Sequence, residues 1–222
     1  SVGLISSRIS IGAPILGGNG TFILGARRTY LELMVEPLVR HLVNNKALFT
    51  QKSIYNFYDA NAGASLKISS RDNISFSGYY GRDNFKMGRT GMKQKNSLDW
   101  GNIMTSLLWM HKIKDNGEWN TNISLTKYEF DLSGSQADYF FGLFSSVKDY
   151  SIKSNISLKK ERSQITTGLE LTEHIFIPNR IDAQAGNFKL NFGQFSVMNA
   201  LEGGIFFDDE FPLSSKLTVT GG

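Results

Sequence analysis

The side chains best suited to metal or acid–base chemistry are three histidines, His41, His111 and His174. A zinc site draws its ligands from His, Cys and carboxylates at short, repeated spacings. None of these histidines has a second one at such a spacing, and they fall at opposite ends of the elements read below. The chain has no cysteine, which removes disulfide frameworks and thiolate sites together. No metal or cofactor is expected. The run Asp208-Asp209-Glu210 holds three adjacent carboxylates, but acid–base work needs a partner group across a cleft. This run leads straight into Phe211-Pro212 at a turn and reads as a solvated rim. Gly17-Gly18-Asn19-Gly20 reads as a tight turn built on permissive glycines. A phosphate cradle would need a helix N-terminus to follow, and none does. The chain is therefore read as a non-enzyme.

Something must position these residues, and the composition points to strands. Phe (16) and Tyr (8) are abundant, with 22 Gly and only 4 Pro, a mix that suits pleated surfaces joined by turns. Net charge is +4, from 24 basic against 20 acidic residues. The basic residues are scattered, densest at Arg27-Arg28 and Lys159-Lys160, whereas a nucleic-acid binder gathers them on one face or helix. Nucleic acid is not an expected partner. No stretch reaches the roughly 18 apolar residues of a membrane-spanning helix. The mean hydropathy of -0.21 does not exclude a barrel, whose strands bury only alternate side chains in lipid.

Alternation and turn signals predict ten strands, over 2–12, 20–29, 54–69, 73–85, 97–113, 118–132, 146–159, 164–177, 195–210 and 215–222. The connections alternate strictly. Short ones fall at 14–20, 70–73, 114–118, 161–164 and 212–215, and long ones at 30–53, 86–96, 133–145 and 178–194. One end of the sheet then has tight turns and the other extended loops, as outer-membrane barrels present periplasm and exterior. A soluble sandwich mixes loop lengths at both ends. Several strands run 13 to 17 residues, against about 5–6 in soluble domains.

Side-chain phase agrees. Tyr58, Ala60, Ala62, Ala64, Leu66 and Ile68 share one face of the third strand, with Asp59, Asn61, Gly63, Ser65 and Lys67 on the other. The seventh sets Tyr150, Ile152, Ile156 and Leu158 against Asp149, Ser151, Lys153, Asn155, Ser157 and Lys159. A lysine facing lipid at the midplane costs about 2–4 kcal/mol, so the charged faces belong in a wet or protein-filled lumen. Lumen-facing ligand-contact candidates are Asp59, Asn61, Lys67, Asp149, Lys153 and Glu170. Leu107 to Met110 are apolar on both faces, and the sixth strand shifts phase near Lys127. Trp100, Trp119, Tyr55, Phe57, Tyr79, Tyr80, Phe207 and Phe211 lie near strand ends, where aromatic girdles belong. In the first long loop Leu31, Met34, Val35, Leu38 and Leu42 form a helical stripe, interrupted at Pro37.

With short turns in the periplasm, the first strand runs downward. Ser1 opens directly into a strand-like run and Gly222 stops inside another, so both ends read as cut, with further strands expected on either side. The whole of 1–222 is taken as one partial barrel domain.

Several runs resemble a known family: FILGARRTYLEL (22–33), YNFYDANAGASLKIS (55–69), SGYYGRDNF (77–85), LDWGNIMTSLLWMHKI (98–113) and GIFFDDEFPLSSKLTVTGG (204–222). They are similar to the barrel of Bacteroidetes-type TonB-dependent outer-membrane receptors. Arg27-Arg28-Thr29-Tyr30 and Trp100-Gly101-Asn102 are the more specific pieces. The resemblance implies an all-β, antiparallel up-and-down transmembrane β-barrel segment, ten strands from a plugged barrel of about 22. It also implies energised uptake of a scarce ligand. Expected partners are the lipid bilayer with its lipopolysaccharide, the TonB complex through a plug outside this sequence, and other outer-membrane subunits. The expected location is the cell outer membrane. Two transport-free or passive alternatives stay open: a structural subunit of a larger complex, and a porin. Ten strands also match the outer-membrane protease barrels, but the carboxylate run sits at the wrong end for that chemistry.

Overall fold

The computed structural model describes residues 1–30, 51–89, 94–114, 116–160, 163–191, 196–214 and 217–222. The helical stripe expected at 31–42, with His41, lies outside the described residues. Among the described residues eleven strands form one sheet: β1 (Ser6–Ile15), β2 (Gly20–Thr29), β3 (Gln51–Lys67), β4 (Asp72–Arg89), β5 (Gln94–Ile113), β6 (Gly117–Gln136), β7 (Tyr139–Lys160), β8 (Ser163–Ala185), β9 (Phe188–Asn191), β10 (Met198–Ser214) and β11 (Leu217–Gly221). The order is β1-β2-β3-β4-β5-β6-β7-β8-β10-β11, with β9 paired to β8 off that path. Every ladder is antiparallel. Sequential neighbours pair from β1 to β8, β10 joins β8 past the short β9, and β11 follows β10, so the path is an up-and-down meander. Alternating side chains and long antiparallel ladders sustain each other, because every added rung closes further backbone bonds.

The strands outrun the expectation. β7 spans 22 residues and β8 spans 23, roughly 70 Å of extended chain at about 3.3 Å per residue. The loops expected at 133–145 and 178–194 are largely strand. Gln136 pairs with Tyr139 across a two-residue turn in which Ala137 has φ 50. Ala185 pairs with Phe188 across Gly186, at φ 58, creating β9. The polar runs at these tips resemble loop sequence, yet their backbones close ladder rungs. The expected loop at 86–96 likewise shrinks, since Arg89 pairs with Gln94.

One irregularity breaks the tall β7–β8 ladder. Phe144 pairs with Arg180 and Ser146 with Ile177, so Pro178 and Asn179 together oppose Ser145. Proline has no N–H to donate and is tolerated at such a bulge. Asn179 takes φ 26, and the Ser145 hydroxyl donates to the Ile177 carbonyl at 3.3 Å.

The described residues form a single-layered sheet. Among the described residues no hydrophobic side chain is buried; Ile9 is 72% exposed, Leu201 72% and Ile205 89%. A sheet with no second layer has no core of its own to hold it in water.

Candidate functional site

The in-register ladders allow every side chain to be assigned to a face. Residues directly opposite each other across strands point the same way. Gly25, Asn61, Tyr79, Met104, Thr126, Asp149 and His174 occupy one continuous level. Lys153 faces Glu170 two rungs below Ser151 and Thr172. All six predicted contact residues, Asp59, Asn61, Lys67, Asp149, Lys153 and Glu170, therefore share one face of the sheet.

That face is a polar network. Arg27 on β2 meets Asp59 on β3 at 2.7 Å, and Asp59 is 8% exposed. The Arg27 guanidinium also stacks over the Phe57 ring at 4.8 Å. Lys153 pairs with Glu170 at 3.2 Å and lies over the Phe206 ring at 5.2 Å. Hydroxyls link the strands between these charges: Ser151 to Thr172 at 2.8 Å, Ser157 to Thr166 at 3.0 Å, and Ser75 to Ser65 at 3.0 Å. Asn61 and Lys67 belong to the same face and have no charged partner of this kind among the described residues.

His174 has no histidine partner at ligand spacing in the sequence, yet the structure gives it two carboxylate partners from other strands. Its Nδ1 lies 2.8 Å from Asp149 and its Nε2 3.4 Å from Glu202, while Thr126 donates to the other Asp149 oxygen at 3.2 Å. Four strands thus supply one carboxylate–imidazole–carboxylate cluster. Each ring nitrogen is already engaged, so the cluster does not present an open ligand set. Among the described residues no group of three or more His, Asp and Glu is arranged to hold a metal. His111 is separate, on the opposite face, bonded to Asp72 at 2.7 Å. The Asp208-Asp209-Glu210 run lies within β10, so its side chains alternate between faces.

The opposite face is apolar through its middle. One level reads Phe22, Ala64, Phe76, Leu107, Ile123, Ile152, Leu171 and Gly203. Charges bound this belt at the long-hairpin end: Arg82 on β4, Lys127 on β6, Lys148 on β7 and Glu173 on β8. Following the ladder from Glu173 through Tyr150, Leu125 and Thr105 arrives at Gly78, four residues below Arg82 (82 − 78 = 4). At the short-turn end β4 and β5 present Asp72 and His111, whereas the same level on β7 and β10 presents Ile156 and Phe207. Both margins drift the same way along the register. Tilted strands produce such drift, as closure into a barrel requires.

The aromatic expectation divides. Trp119, Tyr80, Phe207 and Phe211 lie on the apolar face, with Trp119 against Trp109 at 5.1 Å between ring centroids. Tyr55, Phe57, Tyr79 and Trp100 lie instead on the polar face, so they are not girdle residues. Tyr55 stacks on Trp100 at 6.5 Å and donates to Asp83 at 2.8 Å. Above the charged margin the apolar residues change sides: Tyr128, Phe130 and Leu132 continue the face that carries Thr126 and Asn122 lower down. The signal was present in the sequence, since Tyr55 and Phe57 share the parity of Asp59.

A long antiparallel meander with one polar and one exposed apolar face is the wall of an up-and-down β-barrel. A solved structure with this fold is the ferric yersiniabactin uptake receptor FyuA from Yersinia pestis, matched with a TM-score of 0.60 at 8% identity. The likeness covers 95% of this chain and 35% of that one, so the chain spans about a third of the receptor's length. No family model matches the sequence, and no curated protein matches it.

Proposed function

We propose that this chain forms part of the barrel wall of a TonB-dependent receptor of the Bacteroidetes type, in the cell outer membrane, serving energised uptake of a scarce ligand. The apolar face meets lipid and the polar face lines the lumen. One observation carries the reading: through the middle levels of the sheet the polar–apolar division holds in register across the ladders from β2 to β10, with exposed apolar side chains along one side and, among the described residues, no second layer to cover them. Lysines at Lys153 on the outer side would cost about 2–4 kcal/mol each near the midplane; on the inner side they stay solvated and paired. The fold likeness to an uptake receptor supports transport over the structural-subunit and porin readings. The plug, the TonB contact and the remaining strands belong to this proposal as parts outside the 222 residues. Asp59, Asn61, Lys67, Asp149, Lys153 and Glu170 are proposed as lumen contacts, without a catalytic role.

Residues 1–222 contain no cysteine, so a cysteine introduced among them, compared with the unsubstituted full-length protein, gives a direct test. In the full-length protein in cells, Ser151→Cys and Asn155→Cys are expected to react with a small water-soluble maleimide, and Ile152→Cys and Ile156→Cys to resist it. Reversed labelling defeats the assignment of faces. For energised uptake, the purified protein is expected to capture the periplasmic domain of TonB. Failure of capture favours the structural role, and ion conduction by the protein in a planar bilayer without any plug favours the porin.

A further inference from the structure

On the polar face, one level of the ladders sets a carboxylate among aromatic rings. Phe57 lies directly opposite Asp83, Asp83 opposite Trp100, and Trp100 opposite Phe130. Side chains opposite each other on one face stand about 5 Å apart at Cβ, so Asp83 has a ring on either side. Tyr55 comes in diagonally, stacked on Trp100 at 6.5 Å and tilted against Phe57 at 6.3 Å between centroids. Its hydroxyl donates to Asp83 Oδ1 at 2.8 Å. One level below Asp83, Tyr79 leans over Gly81, where an added Cβ would meet Tyr79 Cζ at 2.9 Å. The missing side chain at Gly81 thus gives the Tyr79 ring its place beneath the carboxylate.

Other carboxylates of this face are matched by cations or histidine. Asp59 meets Arg27 at 2.7 Å, Glu170 meets Lys153 at 3.2 Å, and Asp149 meets His174 at 2.8 Å. Among the described residues Asp83 has the neutral Tyr55 hydroxyl and no cation. Arg82 and Lys86, on the same strand, oppose Tyr58 and Ile54 and so point to the other face. Asp83, Tyr55, Phe57, Trp100 and Phe130 are all half-buried. Rings therefore take the place of part of the water around a charge that the protein leaves unbalanced, and such a charge favours a cationic partner.

We infer that Asp83 and the rings around it bind an alkylated ammonium group carried by the solute in the lumen, an inference that rests on the polar face being the lumen wall. Aromatic faces attract a cation through their quadrupole, and the carboxylate supplies the opposite charge. The supply of acceptors decides which cation. A primary ammonium or a guanidinium carries several N–H donors that each need an acceptor. Tyr55 already occupies one Asp83 oxygen, and the hydroxyls of Thr29 and Ser145 at this level donate to the Phe57 and Ile177 carbonyls. An alkylated ammonium asks for few hydrogen bonds and presents methyl groups to the rings, the arrangement that aromatic cages use. The same shortage of hydrogen-bonding groups disfavours a polyol. Within the protein, Arg27 shows the pairing at work: Asp59 holds it over the Phe57 ring at 4.8 Å.

The test titrates the full-length protein, purified in mild detergent, with choline and with the neutral alcohol in which carbon replaces the choline nitrogen, followed by ligand-observed NMR. Choline is expected to bind roughly tenfold more tightly than the alcohol. Asp83→Asn, which keeps an oxygen for the Tyr55 hydroxyl, removes that preference. Trp100→Leu weakens choline by a similar factor, and Asn155→Ala, near the short-turn end of the same face, leaves it unchanged. The proposal is overturned if choline binds no better than the alcohol, if Asp83→Asn keeps the full preference, or if ethanolamine, which lacks the methyl groups, binds more tightly than choline. Maleimide labelling in cells separates the two readings. Reversed labelling of Ser151→Cys and Ile152→Cys defeats the lumen assignment, whereas the expected labelling with no preference for choline defeats the ammonium site alone.

Discussion

Among individual residues, the contact between Arg27 and Asp59 is the tightest charged pair on the polar face. Asp59 is nearly buried while Arg27 is 41% exposed, so water screens part of the attraction and the pair is worth less than a buried one. Removing the carboxylate still strands a guanidinium against the Phe57 ring and leaves its hydrogen-bonding N–H groups to solvent. Asp59→Ala is expected to lower stability by about 1–2 kcal/mol, read as a lower urea midpoint for unfolding of the full-length protein in detergent. Arg27→Lys keeps the charge but loses one of the two N–H groups that converge on Asp59 Oδ2 at 2.7 Å, whereas an exposed pair such as Arg180 with Asp182, at 51% and 61%, should tolerate Asp182→Asn with no measurable change. Residue chemistry of this kind was only partly legible beforehand. The parity of Asp59, Lys153 and Glu170 was readable from alternation. Their partners were not, because spacing along the chain says nothing about which strand lies alongside: His174 and Glu202 are 28 residues apart.

For the strands, the question is why some showed their phase in the sequence and others did not. β3 and β7 keep one alternation through the belt, and so their faces could be assigned from sequence. β6 carries Ile123 and Leu125 on the apolar face, then Tyr128, Phe130 and Leu132 on the other, within a strand that has no bulge. A single-period reading sees a phase shift near Lys127; the ladder shows an unbroken strand that leaves one environment for another. The four-residue β9 was hidden for a related reason, since its short apolar-polar run lies within a segment that reads as a loop. The same logic sets a sharp contrast between adjacent positions. Ile152→Lys, in the middle of the apolar belt, is expected to cost about 2–4 kcal/mol, while Asn155→Lys, on the polar face three residues on, stays within about 0.5 kcal/mol. Reversible unfolding of the full-length protein in lipid vesicles measures both. Equal costs at the two positions would mean that the faces do not see different solvents.

The whole molecule is defined by its two edges. Among the described residues β1 pairs only with β2, and β11 only with β10. The first residues cover a little of one edge: Ser1 and Arg8 exchange backbone bonds at 2.8 and 3.0 Å, and below Arg8 the outer side of β1 has no neighbouring strand. In hydrocarbon each unsatisfied backbone group costs several kcal/mol, so two bare edges exceed by far the 5–15 kcal/mol that holds an ordinary domain together. Closure must come either from additional strands or from β1 meeting β11. Among the described residues ten strands lie on the continuous path, enough in number for a small barrel, whereas the proposed receptor wall takes additional strands. Residues 1–222 expressed alone are therefore expected to yield no protease-resistant monomer with heat-shifted electrophoretic mobility in detergent, whereas the full-length protein yields one. If the segment alone gives such a monomer, its edges close on each other, and the wall belongs to a narrow ten-stranded barrel with no room for a plug.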